Sequence, residues 1–247
     1  MSGNRLHGRR RLALGIAILV VSLAAFHSGC RSIHTLARQG NVRGVERRLK
    51  WGTSPDKRQL WTCEIPLISA AQGGHSDVVR LLVANGADVN LQGEAWDAAL
   101  HHAAYRGHLE IVKFLVTNGA DVSLFKSHDT PLHSAASGGQ VEVARVLLAH
   151  GADVNWQGID KATPLETAVF HGQLKMVEFL LANGADVNSR GLYGRTPLYV
   201  AAGKDNVTIG RVLIEHGADP ELGCNDRPVW SGSAEFRALL RQSGPKR

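Results

Sequence analysis

The tripeptide Gly-Ala-Asp stands at Gly86, Gly119, Gly151, Gly184 and Gly217, at steps of 33, 32, 33 and 33 residues. Self-similarity at such a period rules out a chain folded around one closed core. Each period is one supersecondary unit that buries its apolar face by stacking on its neighbours. The clearest unit runs from Thr130 to Asn155. Thr130 and Pro131 mark a helix start, with a hydroxyl at the cap and a proline in the opening turn. Ala135 and Ala136 are small enough to let another helix lie close. Gly139 ends this helix in a turn that needs positive φ. A second helix carries Val143, Val146 and Leu147 at helical spacing, Gly151 stops it, and Ala152 to Asn155 lead into an extended turn.

The unit recurs in detail. TPLH at Thr130–His133 is matched by TPLE at Thr163–Glu166 and TPLY at Thr196–Tyr199, and GADVN at Gly151–Asn155 by Gly86–Asn90 and Gly184–Asn188. These motifs resemble ankyrin repeats, and the resemblance covers most of residues 31–243. It implies an all-α solenoid: a stack of helix-turn-helix units with projecting β-turn loops. It also implies a protein-binding scaffold and no catalysis. The expected organisation is a signal segment over 1–29, a degenerate N-terminal capping repeat over 30–58, five repeats over 59–222, and a C-terminal capping half-repeat with its tail over 223–247. In the first of these repeats Arg47-Arg48 stands where later ones carry Leu81-Leu82, Phe114-Leu115 or Phe179-Leu180, as the polar outer face of an end repeat requires. Ile111, Val112, Phe114 and Leu115 are expected to be buried in repeat three, and Met176 and Phe179 in repeat five. Asp205 replaces the turn glycine of repeat six, where left-handed geometry strains it. Gly210 thins the helix that follows.

The formal charge of +6 suggests nucleic acid until it is located. Arg5, Arg9, Arg10 and Arg11 precede an apolar run from Leu12 to Phe26, which is followed by His27-Ser28-Gly29-Cys30. A basic start, a short apolar stretch and small residues describe an export signal, too short for a comfortable membrane span. The Ser-Gly-Cys ending resembles a bacterial lipoprotein signal, which implies that Cys30 is lipidated as the first mature residue. His27 departs from that pattern, standing where an aliphatic residue is usual. An uncleaved anchor is the other tethered form. Without residues 1–29 the balance is 28−4 = 24 basic against 22 acidic residues, and residues 59–247 carry 16 basic against 20 acidic. The basicity therefore sits in the signal and in residues 30–58, and the body of the chain is poorly suited to nucleic acid.

Chemistry leaves little trace. The chain has no phosphate-binding glycine loop, no His-Glu-x-x-His and no paired cysteine knuckle. Six of the ten histidines after residue 29 occupy repeat positions: His75 and His108 after turn glycines, His101 and His133 in the TPLH place, and His150 and His216 before Gly-Ala-Asp. Asp88, Asp121, Asp153, Asp186 and Asp219 are turn residues. Cys63 and Cys224 lie near opposite ends of a long stack, too far apart to pair. No catalytic residue, metal, cofactor, nucleic acid or small-molecule substrate is expected.

The expected partner is another protein, with the membrane as second contact through the N-terminus. Ankyrin proteins generally bind with their projecting loops and the concave face of each first helix. The matching loop residues are Trp61, Trp96, Phe125, His128, Tyr193 and Arg195, with Trp156 just past its turn. The matching helix residues are His102, Tyr105, Arg106, Phe170, His171 and Lys204. Exposed aromatics and arginine are what binding hot spots favour. The alternatives are a self-assembling envelope protein and an accessory subunit of an enzyme complex.

Overall fold

The structure is a computed structural model that describes residues 32–59, 64–93, 97–125, 129–158, 160–223, 229 and 232–243. Cys30, Trp61, Cys63, Trp96, His128 and Cys224 lie outside the described residues. Thirteen helices and no strands occur among the described residues, and they pair along the chain. The pairs are α1 (Ile33–Arg38) with α2 (Val42–Lys50), α3 (Pro66–Gly73) with α4 (Ser76–Ala84), and α5 (Ala99–Arg106) with α6 (Leu109–Thr117). They continue with α7 (Pro131–Gly138) and α8 (Val141–Ala149), α9 (Pro164–Phe170) and α10 (Leu174–Ala182), and α11 (Pro197–Gly203) and α12 (Val207–Glu215). A single α13 (Ala234–Ser243) follows. First helices pack on first helices and second on second, giving a two-layer solenoid.

The caps explain where the helices begin. Pro131, Pro164 and Pro197 each open a first helix behind Thr130, Thr163 and Thr196, in extended conformation. Thr163 accepts from the Glu166 amide at 3.3 Å, and Glu166 returns a carboxylate to the Thr163 amide at 3.1 Å, closing a capping box. In repeat two, Ile65 takes the cap place with no side-chain bond and is fully buried instead. Glycine suits the turn at Gly139 for two reasons. Gly139 has φ of +68°, and a Cβ built on it would stand 2.4 Å from the Gln173 amide oxygen of the next repeat. A side chain there would be strained by the positive φ and would displace the Gln173 amide from its bond to the Ser137 carbonyl.

The core is continuous, running from Ile33 to Leu240 among the described residues. Paired alanines such as Ala70-Ala71, Ala103-Ala104 and Ala135-Ala136 are fully buried and bring first helices close together. The loop sides are laced by side chains. Asn155 donates to the Gly184 carbonyl at 3.1 Å and accepts from the Asp186 amide at 2.8 Å. Asn90 and Asn188 repeat both bonds toward Gly119 with Asp121 and toward Gly217 with Asp219.

Two expectations change, for Phe114 with Phe179 and for Gly210. Phe114 and Phe179 are only half-buried: their position looks along the outer layer, and each ring is covered by an arginine of the preceding repeat, Arg80 at 4.6 Å and Arg145 at 5.1 Å. Leu81 and Val146 hold the same half-buried place. Gly210 does not thin its helix but opens a notch. A Cβ there would come within 2.7 Å of the ring of Phe236, which is fully buried and seals the stack. Asp205 adopts the left-handed φ of 55° expected of it and also accepts from the Ser233 amide at 2.9 Å, where α13 begins. That bond holds the Asp205 carboxyl below its ordinary pKa. At the other end, Gly44 and Arg48 of α2 stand where α4 buries Val78 and Leu82, so the first repeat has no apolar face toward a predecessor.

Candidate protein-binding face

The site grows from the third residue of each first helix, the fourth of the TPLH motif. His101 and His133 each accept a backbone amide on Nδ1, from Ala98 and Thr130 at 3.2 Å. Their protons therefore sit on Nε2, which donates to the loop carbonyl of the following repeat, Asp129 at 3.2 Å and Ala162 at 3.1 Å. Burial holds His133 below the ordinary histidine pKa, which suits this neutral tautomer. In repeat five the same place is Glu166. One carboxylate oxygen accepts from Thr163 and the other from the Gly191 amide at 3.0 Å. Burial pushes the carboxyl up to about 7, against the pull of those two amides. A histidine donates to the next loop, and Glu166 accepts from it.

The loops beyond are pinched at their bases. Gly158 donates to the Ala162 carbonyl at 3.0 Å and Gly191 to the Arg195 carbonyl at 2.9 Å. Pinching turns Asp160 and Tyr193 outward at their tips, Tyr193 with φ of 59° and 63% exposed. Between loops and first helices of repeats four to six lies a depression of about 350 Å³. Asp129, Gly158, Asp160, Ala162 and Arg195 line it from the loops; Glu166, Thr167, Phe170, His171 and Val200 line it from the helices and their turns.

Five of the expected residues meet around this depression. Phe170 is 53% exposed, with Lys204 Nζ 3.7 Å from its ring centroid and His171 edge-on at 5.2 Å. His171 is fixed by the Thr167 carbonyl at 3.0 Å and by Ser137 Oγ of the previous repeat at 3.2 Å. The Arg195 guanidinium lies 5.5 Å from the Tyr193 ring and 5.9 Å from that of Tyr199. The result is an aromatic and cationic wall facing two exposed acids, Asp129 and Asp160. Such a surface offers apolar area, cation–π contacts and charge of both signs to an incoming chain.

The other residues are dispersed. Tyr105 and Arg106 are exposed on repeat three, with Tyr105 in the same repeat position as Phe170. His102 is half-buried and turned onto Asp97 at 2.5 Å. Phe125 and Trp156 are exposed on the loop side. Asp129, Asp160, Glu166 and Tyr199 are not among the residues the sequence singles out; Glu166 and Tyr199 carry a signal, as the residues replacing the TPLH histidine. Among the described residues no three His, Cys, Asp or Glu side chains are grouped to hold a metal. No helix there is long and apolar enough to cross a membrane.

The comparisons agree with this geometry. The chain is similar to the crystal structure of the human ASB11 ankyrin repeat domain, with a TM-score of 0.80 and 26% identity over 88% of this chain and 100% of that one. No curated protein sequence matches the chain significantly. A family model described as ankyrin repeats (3 copies) matches residues 33–126, 100–191 and 160–224. Ankyrin repeats are generally protein–protein interaction modules, and the chain belongs to the ankyrin repeat family.

Proposed function

We propose that this chain is a non-catalytic scaffold that binds a partner protein through its concave face, centred on repeats five and six. The observation that carries this reading is the Phe170, Lys204, Tyr193 and Arg195 wall beside the depression. The Phe170 and Tyr193 rings stay more than half exposed there, each beside a cation, Lys204 and Arg195. A stack already ordered by its glycine turns and asparagine bridges presents this wall without an ordering cost on binding. The scaffold works outside the cytoplasm, held to a membrane by its N-terminus, with Cys30 as the lipidated residue. The basic start and apolar run to Phe26 support that placement.

The test is the affinity of a partner recovered from the protein's own cells. Replacing Tyr105 and Phe170 together by Ala is expected to weaken it by at least 30-fold, since each exposed aromatic at a hot spot contributes on the order of 2 kcal/mol. The thermal midpoint should not move, because neither side chain belongs to the core. Unchanged affinity would refute the concave-face reading.

A further inference from the structure

Helix α2 differs from every other second helix in what it shows to solvent. Helices α4, α6 and α8 begin with an acid in the first turn, Asp77, Glu110 and Glu142, which suits the positive end of a helix, while α10 and α12 have none. Helix α2 has Arg43 there, as α10 has Lys175, against that preference. The residue just past each second helix is Asn85, Asn118, His150, Asn183 or His216, and each side chain bonds a carbonyl of the preceding turn at 2.7–2.8 Å. After α2 the residue is Trp51, which is 67% exposed. An end repeat needs a polar outer face, so capping accounts for Arg48 and Gly44. It does not account for an exposed indole.

At 100° per residue, Arg43, Lys50, Arg47 and Trp51 fall within an arc of about 100° on one face of α2. The opposite face, with Val45 and Leu49, packs into the stack. All four are exposed, and the acid beside them, Glu46, is bonded to Lys50 at 2.8 Å. A basic stripe ending in tryptophan matches an anionic lipid surface, where cations meet headgroups and an indole sits at the polar–apolar boundary. The tethering reading proposed above places the stripe next to such a surface. In that reading the lipid is carried by Cys30 and α1 is capped by Ser32, two residues later (32−30), which span at most about 7 Å.

We infer that the exposed face of α2, with Arg43, Arg47, Lys50 and Trp51, docks on anionic lipid headgroups and sets the orientation of the solenoid at the membrane. In the cell this rests on the tethering reading above, because a single lipid chain holds a protein only marginally and a basic patch supplies the second signal. The stripe leaves the concave wall of repeats five and six at the far end of the stack, clear for a protein.

The surface is tested apart from the tether by using residues 32–243, since the buried core described above lies between Ile33 and Leu240. This segment should bind vesicles containing phosphatidylglycerol and not neutral phosphatidylcholine vesicles, with binding falling as salt rises. Replacing Arg43, Arg47 and Lys50 together by Gln should weaken partitioning on the order of 100-fold, at about 1 kcal/mol for each basic residue near anionic lipid. Trp51→Ala should weaken it further, and a vesicle-dependent blue shift of tryptophan emission should vanish in Trp51→Phe. Circular dichroism melting curves matching the wild type would show that the variants are folded. Equal partitioning of the triple variant would overturn the inference. So would binding to polyglutamate as tight as to vesicles and indifferent to Trp51→Ala, which would mark an acidic protein as the occupant. The tether is read separately in the full chain. Loss of added acyl mass in Cys30→Ala would establish it, and an unmodified wild-type chain would refute it while leaving the vesicle result standing.

Discussion

At the scale of single residues, burial of Glu166 ties the stability of the fold to pH. Its carboxyl stands at about 7 in the folded chain against an ordinary 4.5. The folded state therefore keeps a proton that the unfolded state has released. The stability this contributes is complete below pH 4.5, declines as pH rises, and is gone above about 7, a loss on the order of 3 kcal/mol. His133 acts in the opposite sense. Its pKa is depressed by burial, so its contribution is present above 6.5 and is lost as pH falls through the folded value. Urea midpoints for wild type and Glu166→Gln between pH 5 and 8 separate the two. The difference between the proteins should move with pH in the direction set by Glu166, leaving only the histidine slope in the variant. A constant difference across that range would mean that Glu166 titrates normally. The unusual place of Glu166 was legible in the sequence as a break in the TPLH motif. Its acceptor role was not, because the amide of Gly191 that meets it comes from the next repeat.

At the scale of elements, the repeats are joined by a row of amide side chains that the sequence marks only as the last letter of GADVN. Asn90, Asn155 and Asn188 each bridge to the following turn with two bonds. Repeat three has Ser123 in this place, whose side chain carries no amide to bridge with. Ser123→Asn is therefore expected to stabilise the chain by about 1 kcal/mol, and Asn155→Ala to destabilise it by about 1–2 kcal/mol. Thermal or urea unfolding of the two variants checks both signs, and a destabilised Ser123→Asn would mean that the turn of repeat four cannot accept the bridge. The helices themselves were legible, because threonine-proline starts, turn glycines and spaced apolar residues act within one repeat. Features that depend on a neighbour were not. Phe114 and Phe179 looked like core residues until Arg80 and Arg145 were found covering them from the preceding repeat. Gly210 looked like a weak point until Phe236 was found filling the space.

At the scale of the whole molecule, the solenoid separates what a compact domain would mix. Basic charge and an exposed tryptophan lie at the N-terminal end, and the aromatic wall with its depression lies on repeats five and six. The period named the candidate surface, since outward positions recur with each repeat. It could not say which of those positions converge: Asp129, Glu166 and Arg195 come from three successive repeats and meet only through the stack. The most direct measurement is photo-crosslinking in the living cell, with a benzophenone amino acid replacing Phe170, Tyr193 or Tyr105 in turn. Glu178 and Arg211, exposed on α10 and α12, serve as controls on the opposite layer. Adducts to a protein from Phe170 and Tyr193, fewer from Tyr105 and none from the controls, are the predicted result. Adducts from Glu178 or Arg211 with none from Phe170 and Tyr193 would contradict the concave-face account.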